Sequence, residues 1–72
     1  MPRKREPTLT NCIRDLRTRA GLTQQDLADR VGVTRQTIVA LEGGAYTPSL
    51  TLALRLAHVF KKTTEQVFWL EE

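Results

Sequence analysis

The stretch QQDLADRVGVTRQTIVAL, residues 24–41, limits what this chain can fold into more than any other. Leu27, Ala28 and Val31 recur at helical spacing on one face of its first half, and Ile38 and Leu41 share one face of its second half. Gly32 lies between them. A glycine in that place takes a left-handed backbone without a Cβ penalty, so it ends the first helix and reverses the chain. Thr34 is placed to cap the second helix, and Thr23 with Asp26 three residues later to cap the first.

Two short helices joined by so tight a turn must meet at a steep angle, and Ala28 is small enough to let their backbones approach. This is the helix-turn-helix arrangement. It leaves one side of the second helix in solvent, carrying Arg35, Gln36, Val39 and Ala40 with Thr34 at its start. Guanidinium and carboxamide groups make paired hydrogen bonds to purine edges, and small apolar side chains touch thymine methyls. The face is chemically suited to reading a major groove.

Gln24, Ala28, Gly32 and Ile38 stand at the spacing typical of the Cro and phage-repressor helix-turn-helix proteins, the XRE family. The chain resembles that family through RTRAGLTQQDLADRVGVTRQTIVALEGGAYTPSLTLALRLAHVF and over roughly residues 10 to 70. The resemblance implies an all-α, five-helix, lambda-repressor-like DNA-binding domain. Double-stranded DNA is the implied partner, bound by a homodimer whose third helix enters the major groove.

With 72 residues the chain has room for one domain with a small core. One cysteine excludes an intrachain disulfide, and Cys12 and His58 are too few soft ligands for a metal cluster. Both read as structural: Cys12 near a helix start, His58 on a helix surface. No cofactor is expected. The lone thiol points to a reducing, cytoplasmic setting, and no apolar run reaches the ~20 residues that span a bilayer. The net charge of +3 favours a polyanionic partner. Arg3, Lys4 and Arg5 concentrate it in residues 1–9, read as a flexible basic arm ahead of the domain at 10–72. The arm either aids solubility or tracks phosphates and a minor groove.

In chain order, a first helix is expected from about Asn11 to Ala20, capped by Thr10 or Asn11 and stopped by Gly21, with Ile13, Leu16 and Ala20 buried. Arg17 lies on the same side and needs a partner, because an unpaired cation on an apolar face is costly. Glu42 is the best candidate, and the family resemblance implies the same structural pair. The loop after it, GGAYTPS, offers close backbone approach at Gly43 and Gly44 and hydroxyls at Tyr46, Thr47 and Ser49, Ser49 also capping the next helix. In the family this loop lies on the DNA backbone. On the repressor-like model Gln24 and Thr37 join it as phosphate ligands, while Arg35 reads a guanine and Gln36 either reads an adenine or serves both a base and a phosphate, with shorter contacts from Thr34, Val39 and Ala40. Ala40 stands where many relatives carry a long polar side chain, so their base code does not transfer.

The fourth helix, from about Leu50 to Phe60, is apolar on two sides: Leu50, Ala53, Ala57 and Phe60 form a stripe suited to the core, and Leu52, Leu56 and Val59 form another. A surface helix of a monomer needs only one stripe. Thr63 or Thr64 can cap a short fifth helix through about Val67, followed by a β-prone end at Phe68, Trp69 and Leu70. The resemblance to short members of the family implies that this end pairs with Thr8 to Thr10 or across a dimer. Leu52, Leu56, Val59, Phe68, Trp69 and Leu70 are therefore the expected dimer interface.

The expected function is a stand-alone transcriptional regulator, a repressor rather than an activator, that occupies a palindromic operator. The alternative is an antitoxin or anti-regulator that binds a partner protein. Catalysis is not expected, since the chain has no nucleophile–base constellation and no phosphate-binding loop of an enzymatic type.

Overall fold

Local capping sets where each helix starts. In the computed structural model, which describes residues 7–71, the order is β1 (Thr8–Asn11), α1 (Ile13–Arg19), α2 (Gln24–Val31), α3 (Arg35–Glu42), α4 (Leu50–Val59), α5 (Thr64–Val67) and β2 (Phe68–Glu71). At the head of α2 the Asp26 amide donates to the Thr23 hydroxyl at 3.0 Å and the Thr23 amide donates to the Asp26 carboxylate at 2.9 Å. The Thr34, Ser49 and Thr63 hydroxyls accept from the amides of Thr37, Leu52 and Gln66 in the same way. Each cap satisfies an amide the helix leaves without a partner. Gly32 closes α2 at φ 74° and ψ 34°, the left-handed conformation its place requires.

The first helix starts later than the sequence predicts. Thr8–Asn11 is a strand, so α1 begins at Ile13 behind Cys12, whose side chain makes no cap. Asn11 still serves the helix, its carbonyl oxygen accepting from the Ile13 amide at 3.0 Å while its side-chain amide donates to the Leu41 carbonyl at 3.1 Å. One residue thus joins the start of α1 to the end of α3. Ala20, expected in the core, is the exposed C-cap.

The tail adopts the intrachain pairing. β1 and β2 are antiparallel, with Thr8 opposite Glu71, Leu9 opposite Leu70, Thr10 opposite Trp69 and Asn11 opposite Phe68. Thr8 and Leu9, placed in the arm by sequence, are therefore strand residues, while Arg3, Lys4 and Arg5 lie outside the described residues. Side chains alternate along a strand, so Phe68 turns inward and is buried, whereas Trp69 turns out. The Cys12 amide extends the link by donating to the Val67 carbonyl at 3.1 Å.

The core gathers Ile13, Leu27, Ala28, Val31, Ile38 and Leu41 from the first three helices with Leu52, Leu56, Ala57, Val67 and Phe68 from the C-terminal half. This corrects the expected dimer interface. Leu52 and Leu56 are core residues of their own chain, Phe68 is buried beside them, and Val59 packs against the same cluster. The reason is helical phase. At about 100° per residue, positions 52, 53, 56, 57, 59 and 60 fall on one arc about 160° wide, so the two stripes are halves of one inward face. Leu50 falls just beyond that arc and Leu54 further round, and both are exposed, at 73% and 53%.

Candidate nucleic-acid interface

The exposed side of α3 is held in place from below. Ile38 and Leu41 are buried against Leu27, Ala28 and Val31 of α2, and the Val33 amide closes the turn on the Ala28 carbonyl at 3.0 Å. On the other side Arg35 and Gln36 are exposed and, among the described residues, enter no ion pair or hydrogen bond. Val39 is 40% exposed beside them and Ala40 is half-buried. Thr34 and Thr37, one turn apart, share a hydroxyl–hydroxyl contact of 3.2 Å. Each hydroxyl carries one proton, so the pair keeps one donor for an outside acceptor.

A carboxylate below α3 locks three helices together. The Glu42 side chain is fully buried, with Arg17 Nε donating to Oε2 at 2.6 Å and Arg17 Nη2 to Oε1 at 3.2 Å. The expected Arg17–Glu42 pair is thus a two-pronged contact, and Arg17 Nη1 also donates to the Leu22 carbonyl at 2.9 Å. A third donor comes from Gln24, whose Nε2 reaches Glu42 Oε1 at 3.2 Å. Burial pushes the Glu42 carboxyl up, but the Arg17 and Gln24 hydrogen bonds and the Arg17 charge hold it below the usual carboxylate range. The same pairing raises the Arg17 pKa further above its already high value.

Gln24 therefore has a role that spacing alone did not reveal. One of its two amide protons is committed to Glu42 and the other remains for a ligand. Its position at the first turn of α2 also places it on an open cleft shared with Arg14 and Arg35. Arg14 was not singled out from the sequence. The only available signal was its position three residues before Arg17 on α1, one turn away on a similar side.

The loop after α3 corrects one detail. The Gly43 amide donates to the Val39 carbonyl at 3.0 Å and the Gly44 amide to the Leu41 carbonyl at 3.2 Å, so both close the helix end and neither is free for a phosphate. Gly44, at φ 79°, would place a Cβ in open space, which leaves bare backbone at the surface. Tyr46, Thr47 and Ser49 are exposed, with the Ser49 hydroxyl oxygen engaged as the α4 cap. Among the described residues no group of three candidate metal ligands occurs, and no helix is long and apolar enough to cross a membrane.

Known proteins carry the same framework. A family profile described as Helix-turn-helix matches residues 13–67. The uncharacterized HTH-type transcriptional regulator YgzD of Bacillus subtilis (strain 168) is 50% identical over 64 residues, covering 89% of this chain and 97% of that protein. An uncharacterized HTH-type transcriptional regulator of Methanothermobacter thermautotrophicus is 56% identical over 61 residues, covering 83% of this chain and 88% of its own. Among solved structures, the restriction-modification controller protein C.AhdI from Aeromonas hydrophila superposes with a TM-score of 0.70 at 33% identity, over 75% of this chain and 82% of that one.

Proposed function

The chain belongs to the XRE-type helix-turn-helix family of DNA-binding transcriptional regulators, and from that premise we propose that it is a repressor that occupies a palindromic operator as a homodimer. The observation that carries the reading is the uncommitted Arg35–Gln36 pair on a helix fixed at both ends, by the Thr34 cap and by the Glu42 lock. A helix already fixed has no backbone left to order on docking, so only the rotamers of the two side chains are lost on meeting a base edge. Arg35 contacts a guanine and Gln36 an adenine, with Thr34, Val39 and Ala40 shaping the fit to neighbouring bases. Gln24, Thr37, Tyr46, Thr47 and Ser49 hold the phosphates on either side, and Gly43 and Gly44 let the backbone pass close to them.

Self-association uses the surface the core leaves over. Leu50, Leu54 and Leu70 are 73%, 53% and 63% exposed, and Trp69 is 39% exposed. Leu50 borders a groove of about 320 Å³ lined by Leu9, Pro48, Ala53 and Phe68. A twofold axis uses every such side chain twice. Burying the three leucines of each copy contributes on the order of 6–11 kcal/mol at about 1.5–3 for a fully exposed side chain. Association costs about 4–15 kcal/mol. The balance makes dimerisation depend on concentration and places two α3 helices about 34 Å apart when DNA reinforces it.

Selection from a pool of random duplexes tests this reading: the recovered sites should be inverted repeats with half-sites one helical turn apart. Arg35→Ala should weaken binding to the selected site by about 1–3 kcal/mol and relax preference at one base position. Recovery of no common sequence would remove the proposal. A mass in solution that stays monomeric with and without the selected duplex would instead favour a partner protein on the leucine surface.

A further inference from the structure

Between α1 and the first turn of α2 lies an open cleft of about 650 Å³ whose walls carry Arg14, Gln24 and Arg35, each with donors to spare. The charge around it does not balance. Glu42 faces two arginines, but Arg17 takes it with two prongs and Arg14 reaches it only through Nε at 3.5 Å from Oε1, beyond a good charge-assisted bond. The Arg14 side chain is 70% exposed. The other acidic groups nearby are engaged elsewhere, Asp15 with Arg19 at 3.3 Å and Asp26 with the Thr23 cap. Glu42 balances only one of the two arginines it faces, so Arg14 is left at the rim as a planar fork with donors facing solvent, on the same cleft as Arg35.

We infer that Arg14 is a DNA-backbone ligand that takes a phosphate flanking the bases addressed by α3. The inference rests on the DNA-reading function proposed above and extends its footprint onto α1. Arg17 is less available, since its side chain is only 12% exposed and each of its nitrogens already donates to Glu42 or the Leu22 carbonyl. Arg14 can leave Glu42 at little cost, because an exposed and loosely held pair contributes little. Glu42 keeps Arg17 and Gln24 when it goes. Arg14 stands on α1 rather than on the reading helix, so what reaches it is the phosphate ribbon bordering the groove, and its contribution is independent of base sequence.

The test is the salt dependence of duplex binding by the full chain, for the parent, Arg14→Ala and Arg14→Lys, on the selected site and on an unrelated duplex. Loss of one phosphate contact from each subunit of the dimer should reduce the slope of log affinity against log salt by about 1.8 in Arg14→Ala, about 0.9 for each contact. Its deficit relative to the parent should therefore shrink about 12-fold between 50 and 200 mM salt, equally on both duplexes, with Arg14→Lys keeping the parent slope. An unchanged slope in Arg14→Ala, with the parent binding normally, would overturn the assignment of Arg14 alone. A parent that binds neither duplex at low salt would overturn the DNA-reading function and this inference with it.

Discussion

A single carboxylate ties α3 to the two helices before it. Glu42 is the last residue of α3, and its partners come from α1 and α2, so its loss would release three elements at once. Removing one member of a buried ion pair leaves the other uncompensated, at a cost of about 3–5 kcal/mol. Glu42→Ala should show that loss in a urea titration at pH 7. The acid response follows from the depressed Glu42 pKa. An ordinary glutamate titrates near ~4.3 in the unfolded chain, so the stabilisation is complete above that pH and fades as pH falls through the lower folded value. The gap between parent and Glu42→Ala should therefore narrow at pH 3, and a constant gap would show that Glu42 acts through packing instead. The need of Arg17 for a partner was legible from a cation on an apolar face. The Gln24 contact was not, because it joins residues 18 positions apart whose meeting depends on how α2 crosses α3.

At the scale of the element, the turn between α2 and α3 depends on one backbone conformation. Gly32 sits at φ 74°, and an added Cβ would meet only Arg55 Nη1 at 3.6 Å, an ordinary contact. Strain in the left-handed backbone is then the whole penalty of Gly32→Ala, about 1–2 kcal/mol. A thermal melt followed by circular dichroism should show Tm lower by about 5–15 °C. An unchanged Tm would mean that the turn relaxes to another conformation. Caps and turns of this kind were legible because hydroxyl, carboxylate and glycine act within three or four residues of their own position. The phase of α4 was not legible in the same way. Its apolar residues occupy most of the circumference, and only packing on α2 and the tail decides that Leu52 and Leu56 point inward while Leu54 points out.

For the molecule as a whole, the outward leucines separate folding from assembly. Leu54→Arg places a charge where the chain alone meets water, so the helical circular dichroism signal should be preserved. On the proposed homodimer, sedimentation should show Leu54→Arg as a monomer at concentrations where the parent associates, and affinity for the selected duplex should fall. Leu52→Arg places the same charge in the core and should unfold the chain. If Leu54→Arg sediments as the parent does, the self-association surface lies elsewhere. The tail could not be assigned by sequence alone for a related reason: a run of β-prone residues predicts a strand without naming its partner, and Leu9–Leu70 pairing is a property of the closed fold. That ladder brings the two ends of the folded part, Thr8 and Glu71, face to face. A short peptide bridge joining residues 8 and 71 in place of the segments outside them would leave every helix where it is, and a cyclised form of this kind would resist exopeptidases while presenting the same α3 surface.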